Sequence, residues 1–424
     1  MDKKTQNIDR TTEDGLCTSC GVCAAVCPVS CIRFERQEET YLPVIDYDKC
    51  IRCGKCLRVC PGYSYTYSAV TERKPVCFSV QAKEKKLLKH ASSGGLVTAM
   101  VQKLLRDGQY HTAFLVRDYD YENQLETQSV RDGEILQRTQ QSRYLPVSQE
   151  KAVRFILGNP DEKVIFVGTG CAVHGLCNAL KEAGRSRENI LVLGLFCDQT
   201  MTYSIYEYLK RLKRWNSPVK ALHFRDKRAG GWPGNIRMEF QNGTHVHLPA
   251  NERMMVKEFC RQKRCLYCMD KLNAAADLSV GDNYTKKDDS AEGSSSLIIR
   301  TASGQRAWEY CQEEFFVSQA QYLDIADSQH LEKKLENQWR NNLVFAQAQN
   351  GRQVEYGVPC DLLPYGAAAD KAGNRDKARL KKQLRKLRLG ENRSYGRIRW
   401  YRTVKRARMD LGRLLIVLHL RKKS

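Results

Sequence analysis

The apolar residues of this chain fall into two rhythms. From Pro75 onward, short apolar runs of strand type alternate with stretches where apolar residues return every three or four positions. Pro75 to Gln81 reads as a strand. The segment "KHASSGGLVTAMVQKLLRDG" then predicts a helix through Leu96, Met100 and Leu104, with Ser92 and Ser93 as N-caps and a stop at Gly108. Val164 to Val167 is a run of buried-strand type; Gly168, Thr169 and Gly170 make a turn, and Cys171 opens the next helix. Ile190 to Phe196 repeats the logic and ends at Cys197, and Ala276 to Val280 ends at Gly281 and Asp282. Strand, turn and helix in this order predict an α/β domain with parallel strands. Late in the chain, "DKARLKKQLRKLRLG" spaces Leu380, Leu384 and Leu387 as a helix among many basic residues.

At 424 residues the chain exceeds one small core, so two or three domains are expected. Its start, "MDKKTQNIDR", is polar and lacks the apolar region of a secretory signal. The late apolar run from Leu414 to Leu420 is far short of the roughly 20 residues that span a bilayer. Eighteen cysteines without an export signal point to a reducing, cytoplasmic setting, where they serve as ligands or free thiols. The charge is uneven. Residues 371–424 hold 20 Lys and Arg against three acidic residues, which is +17 of the chain's +22. The basicity therefore belongs to the tail.

Two stretches carry the strongest chemistry. "CTSCGVCAAVCP" and "CIRCGKCLRVCP" share the form C-x2-C-x2-C-x3-C-P, the spacing of bacterial ferredoxins with two 4Fe-4S clusters. In that arrangement each run gives three ligands to one cluster and its last cysteine to the other. Cys17, Cys20, Cys23 and Cys60 are the expected ligands of one cluster, and Cys50, Cys53, Cys56 and Cys27 those of the second. Gly21 and Gly54 allow the backbone close to inorganic sulfide. Zinc knuckles are the competing reading of C-x2-C pairs, but two matching runs closed by Cys-Pro favour iron. Cys31 is left over as a buried free thiol.

In the body, Cys171 and Cys197 sit at the ends of expected parallel strands, where open α/β sheets bind ligands. Two ordinary buried cysteines are the plain alternative. With Cys265 and Cys268 of a further C-x2-C they make four thiolates that can close a third 4Fe-4S cluster, and Cys260 is a nearby spare. The helix start at Ser92, Ser93, Gly94 and Gly95 is suited to a pyrophosphate, although a plain capped helix fits the same residues. Two side chains are candidates for proton transfer. His174 lies one turn into the Cys171 helix, where a structural role is the commoner one, and Asp282 follows a strand end, where it can equally cap a turn.

The segments "SSGGLVTAM", "QQSRYLPVS", "FVGTGCAVHGL", "LGLFC", "FRDKRAGGW" and "CLYCMDKLNAAADLSVGD" occur in this order over residues 75–345. The ordered set resembles the family of the coenzyme F-420 hydrogenase/dehydrogenase beta subunit, to which a ferredoxin head is often fused. The resemblance implies FAD and one 4Fe-4S cluster beside it. By motif, Ser92 to Gly95, Tyr144, Thr169, Arg225 and Lys227 would face FAD or substrate, and Cys171, Cys197, Cys265 and Cys268 would hold the cluster. The sequence departs from the family where Gly170 replaces proline, Ala172 glutamine, Asp198-Gln199 His-Gly, and Asn283-Tyr284 Phe-Trp. These changes surround the expected active site, so they bear on the substrate more than on the cofactors. Some bacterial members are encoded with polysaccharide-synthesis enzymes and act on substrates other than the deazaflavin.

The expected architecture is a mixed α+β and α/β multidomain chain. It has a ferredoxin-like two-cluster domain over 1–70, an α/β flavin-binding domain over 71–345, and a linker with a basic helical tail over 346–424. The expected function is a ferredoxin-linked, flavin-dependent oxidoreductase acting on a small molecule, with a ferredoxin or other redox protein as electron partner. An electron-transfer subunit of a larger complex and a cluster-bearing scaffold at a membrane are the alternatives. The tail mixes Trp400, Tyr401 and Leu/Ile with Arg/Lys, as interfacial helices on anionic membranes do. A solvated helix or a dock for an acidic protein reads it as well. Nucleic acid is the poorer match, because no recognised binding module accompanies the charge.

Overall fold

A computed structural model of the chain describes residues 7–37, 39–65, 75–117, 123–131, 136, 138–212, 215, 217–285, 290–348, 355–356 and 372–417, the last nine of these as backbone. Nine strands form one sheet. From edge to edge they are Phe315–Ala320, Val76–Ala82, Ser295–Ile299, Leu278–Asp282, Ile190–Leu195, Val164–Thr169, Thr112–Val116, Leu125–Val130 and Val147–Ser148. The four from Leu278–Asp282 to Thr112–Val116 are mutually parallel. Val164–Thr169 and Ile190–Leu195 are buried on both faces, which is why they read as continuous apolar runs rather than alternation. The last parallel strand begins two residues later than the sequence suggests. The Asp277 carboxylate is drawn sideways to Val192 N (2.8 Å), the Thr301 hydroxyl (2.8 Å) and Arg187 (2.9 Å), so Asp282 lies within the strand rather than after it.

After the strand Val76–Ala82 come a short helix, Lys85–His90, and then the helix Leu96–Arg106, whose N-cap is Gly95 in the left-handed region (φ 78°), not a serine. Ser93 donates to Ser294 O (2.5 Å), and Ser92 Oγ accepts from Ser142 N (3.0 Å). Both hydroxyls are committed to neighbouring segments, so neither reaches the helix amides. Gly94 is pressed between two strands. A Cβ there would lie 2.4 Å from Val80 O and 2.7 Å from Ser295 N.

A smaller lobe has the antiparallel strands Val219–Asp226, Asn235–Phe240 and His245–Leu248. The helices Ser204–Leu212 and Ala250–Val256 share its core.

The head has two short helices, Val22–Ala25 and Lys55–Arg58, each entered through a left-handed glycine (Gly21 φ 77°, Gly54 φ 71°), and a hairpin of Ile32–Gln37 with Thr40–Ile45. Its expected boundary at residue 70 lies outside the described residues. The head is not a tethered bead. Val22 and Val59 are fully buried in one core with Phe166, Val173 and Leu176 of the body. Each such valine contributes about 1.5–3 kcal/mol when fully buried. Gly175 leaves the room: a Cβ on it would lie 2.8 Å from Val22 Cγ2. Backbone groups join as well, with Gln149 N on Cys20 O (2.7 Å), Arg154 on Ala24 O (2.8 Å) and Lys263 on Asp14 O (2.9 Å).

The tail is helical, as expected, over Asn374–Glu391 and Tyr395–Val417. It is also docked. Leu380 and Leu387 share a core with Leu16, Leu266, Tyr267 and Phe345, and Ile398 is buried in the small lobe. Lys386 pairs with Glu258 (2.5 Å), Arg393 with Glu39 (2.8 Å), and Arg402 with Glu252. Residues 418–424, with the end of the Leu414–Leu420 run, lie outside the described residues.

Gly94→Ala should destabilise the fold by at least ~2 kcal/mol, since backbone atoms on both sides cannot yield. Gly108→Ala, at a left-handed position with nothing within 4 Å, should cost only ~1 kcal/mol. Thermal melts of the two variants measure the difference.

Candidate metal centres and active site

The two cysteine runs of the head wind around the two short helices, and this brings thiols together in two sets. In the first, burial pushes the Cys17 thiol up, and charge on Cys60 and Cys20 pushes it further. Burial pushes Cys23 well up, with Cys20, Cys60 and Cys17 adding to it. Burial and Cys20 push Cys60 up to about 11. In the second, burial and the charges of Cys53 and Cys50 push Cys56 up to about 11. Cys27 Sγ lies 3.4 Å from Cys31 Sγ, and Cys31, pushed up to about 12 by burial and by Cys27, also senses Cys50. Cys31 is a buried free thiol, as expected, and it lies beside the second set. Its place beside the second set is invisible in the sequence because it stands outside the repeated motif.

A third set forms at the carboxyl ends of two parallel strands. Cys171 is pushed up to about 12, by burial and then by the charges of Cys20, Cys268 and Cys265, while the Thr169 hydroxyl 3.3 Å away eases it. Burial holds Cys197 well up, with Cys265, Cys171 and Cys268 beside it. Cys260 does not belong here. It is buried in the small lobe against Tyr203 and Met255, and Ser204 is its hydrogen-bond partner. Thr169 thus faces the thiols rather than the basic site described below.

Buried thiols that repel one another's charge stay protonated unless a metal takes the protons' place. Among the described residues no three His, Cys, Asp or Glu side chains surround a point at single-ion distance. A cuboidal cluster offers four iron corners, so its thiolates stand further apart than the ligands of one ion. The head's two thiol sets carry the donors that such a group takes.

The remaining site residues meet at the end of strand Leu278–Asp282. Arg225 grips Asp282 through two bonds (2.6 and 2.9 Å) and donates to Ser92 O (2.9 Å) and Tyr144 Oη (3.3 Å). Lys227 donates to Ser93 O (3.0 Å) and Glu292 O (2.6 Å). Burial, reinforced by the Arg225 charge, holds the Lys227 ammonium down to about 8. Burial alone would raise Asp282, but Arg225 overrides it and keeps the carboxyl below its usual range. Asp282 is therefore an ionised anchor at neutral pH, not a proton donor. Trp232 Nε1 (3.4 Å) and Tyr284 Oη (3.1 Å) also donate to it, and the two rings lie 5.4 Å apart. Sequence reasoning misses both aromatics. The available signal is their place directly after the "AGG" turn and the "GDN" strand end.

His174 stands elsewhere. Its Nε2 is 3.8 Å from Asp270, and burial holds its pKa down, so it stays neutral at the head–body junction. The structure thus joins Ser92, Ser93, Tyr144, Arg225, Lys227 and Asp282 in one basic, aromatic-rimmed site, and leaves His174 out of it. Gly94 and Gly95 serve packing and helix entry beside that site.

A head with paired ferredoxin-type thiol sets, sharing a core with an α/β body, defines an iron–sulfur protein of electron-transfer type. Residues 16–63 match the 4Fe-4S dicluster domain. Residues 77–154 match the N-terminal part, and residues 161–322 the C-terminal part, of the coenzyme F-420 hydrogenase/dehydrogenase beta subunit, and the chain belongs to that family. It is 25% identical over 328 residues to an uncharacterised protein of Methanocaldococcus jannaschii, covering 68% of this chain and 84% of that one. It is 25% identical over 321 residues to the coenzyme F-420-dependent sulfite reductase of the same organism, covering 70% of this chain but only 46% of the reductase. It is 22% identical over 324 residues to one component of the F(420)H(2) dehydrogenase of Methanosarcina mazei, covering 72% and 85%. A chain of the F-420-reducing nickel–iron hydrogenase complex of Methanosarcina barkeri shares the fold, with a TM-score of 0.50 at 18% identity, covering 66% of this chain and 95% of that chain.

Cys265→Ser should remove about four iron atoms per reconstituted chain, whereas Cys260→Ser should remove none. Iron analysis of the two variants separates ligand from bystander.

Proposed function

We propose that this chain is a flavin-dependent iron–sulfur oxidoreductase, with three 4Fe-4S clusters on the three thiol sets and one FAD at the Arg225–Lys227 site. The observation that carries the reading is the nearness of Cys20 in the head to Cys171 in the body, across a shared core. It puts the head's first thiol set against the body's set. Cys56 is in turn near Cys23, and Cys53 is exposed. The sets are thus neighbours in turn, from the exposed Cys53 of the head to Cys171 at a strand end of the sheet. Clusters held there supply one-electron transfer, and a flavin supplies the two-electron step that clusters lack. A low-potential one-electron carrier of ferredoxin type is the partner at the Cys53 end, and a small molecule is the substrate.

Several residues fit an anionic dinucleotide. Lys227 is a buried cation that donates to two neutral carbonyls, which favours an anion beside it. Helix Leu96–Arg106 has no side-chain cap, so its first amides remain donors. Trp232 and Tyr284 offer ring faces for a flat heterocycle. Arg225 and Asp282 hold this frame still. The names of the relatives speak of coenzyme F-420 and of sulfite, not of polysaccharide, and the departures at Asp198, Gln199, Asn283 and Tyr284 bear on the substrate more than on the cofactors.

Iron and flavin analysis of anaerobically reconstituted protein tests the reading. About twelve iron atoms and one FAD are expected per chain. A value near eight, or no flavin, contradicts it. Lys227 bears its charge below about pH 8 and loses it above, so flavin affinity should be steady to about pH 8 and then fall as pH rises. Lys227→Met should bind flavin more weakly and show no such fall.

The tail's outer face supports a peripheral membrane role. Lys377, Lys381 and Arg385 are exposed on one side of the first tail helix, and Trp400 is 68% exposed on the second. No helix among the described residues is long and apolar enough to cross a membrane. Cutting the tail off would uncover Tyr267 beside Cys268, so charge reversal is the cleaner test. Replacing Lys377, Lys381 and Arg385 by Glu should abolish binding to anionic vesicles at low salt and leave iron content unchanged. Vesicle flotation measures it.

A further inference from the structure

The body's thiol set is surrounded differently from the head's. Helix Leu331–Ala348 lays one face along both loops that carry it. Lys334 Nζ donates to Cys197 O (3.0 Å) and Asp198 O (2.5 Å). One turn on, Gln338 donates to Cys265 O (3.0 Å), and Asn341 and Asn342 hold Leu266 O and Tyr267 O. The Lys334 side chain is only 6% exposed. Around the Asp198 carboxylate stand Lys257 (3.5 Å), Lys271 (3.8 Å) and Lys334 (3.8 Å), and Arg261 adds a fourth positive charge within electrostatic reach. Four cations face one carboxylate, which is half exposed and so partly screened by solvent.

Glu258 offsets part of the Arg261 charge, and the remaining excess on Lys334 and Lys271, 6% and 11% exposed, is costly unless further negative charge lies beside it. Asp198 supplies one unit. The four thiolates of Cys171, Cys197, Cys265 and Cys268 supply the rest once they hold a cluster. Among the described residues the head has no such cage. Arg58 reaches Cys53 O (3.0 Å) but is 54% exposed and tied to Glu182. Arg264 bonds Pro61 O (3.3 Å) from its place next to Cys265, so its charge lies between the first and third sets.

We propose that Lys334, with Lys257 and Lys271, makes the body's cluster easier to reduce than the head's clusters, and so directs electrons from head to body. The proposal rests on the reading that the third thiol set holds a cluster. Reduction adds one negative charge to the cluster, and fixed cations stabilise that form more than the oxidised one. The electron comes from the one-electron carrier at the head, which is oxidised as the body's cluster is reduced. Lys334 acts as a positioning and charge-bearing residue, since it touches the carbonyls of Cys197 and Asp198 rather than the iron.

The test is a redox titration of the reconstituted full chain followed by electron paramagnetic resonance, with iron measured in each sample. Lys334→Met removes a buried positive charge and should move the body cluster's midpoint to a more negative potential. Asp198→Asn removes a negative charge and should move it the other way, by less, because Asp198 is half exposed. Among the described residues the Lys257 side chain pairs with the Asp198 carboxylate and not with the thiol-bearing loops' carbonyls, so Lys257→Met should follow Lys334→Met in direction even if the latter loses its cluster. Local disorder would not give shifts of opposite sign. Equal iron with shifts in one common direction, or with none, overturns the proposal. A wild-type content of about eight iron atoms overturns instead the reading beneath it.

Discussion

Everything in this molecule depends on burying the inner face of the head's two short helices in the body. Val22 and Val59 complete the apolar layer over strands Val164–Thr169 and Ile190–Leu195, together with Val173 and Leu176 of the following helix. Without them that layer would face water. Gly175 allows the approach, and Gly21 sits against Ser148 and Glu150 in the same seam. Because the seam passes the thiols of Cys20 and Cys171, packing and electron-transfer geometry are one constraint. A head on a flexible linker would have to find its acceptor by diffusion, whereas here the distance is set by a core.

Electrostatics divides the body into two regions with different tasks. Around Arg225 and Asp282 opposite charges are matched and hydrogen-bonded, so that corner is rigid and neither group exchanges protons near neutral pH. Lys227 beside it is matched by carbonyls, and Lys334 and its neighbours outnumber Asp198. These cations in excess are where anionic groups are best accommodated. The tail uses the same chemistry for assembly. Arg402 and Lys386 take up Glu252 and Glu258, which leaves the basic surplus on the outer face.

The parallel strands are legible in the sequence because fully buried strands leave continuous apolar runs, and the eight head cysteines because the motif is repeated. What the sequence conceals are contacts between distant segments. Gly94 looks like a phosphate glycine, yet its missing side chain makes room for Val80 and Ser295. Ser92 and Ser93 look like N-caps by position, but Ser142 and Ser294 claim their hydroxyls. Cys260 is five residues from Cys265, yet the backbone turns it into another core. The tail looks separable because its charge is so uneven; its few leucines and the acidic residues that meet it lie far apart in the chain. The family resemblance groups Ser92, Tyr144, Arg225 and Lys227, which do lie together, but it cannot say that Thr169 turns to the thiols.

Packing of the head on the body makes the head and body thiol sets successive neighbours. The most direct measurement is electron paramagnetic resonance of the fully reduced, reconstituted chain. Clusters on adjacent sets should couple magnetically, giving a broadened and split spectrum that simplifies when Cys265→Ser removes the body's cluster. A fully reduced spectrum that equals the sum of isolated clusters, unchanged in shape by that substitution, would show that the sets are not neighbours.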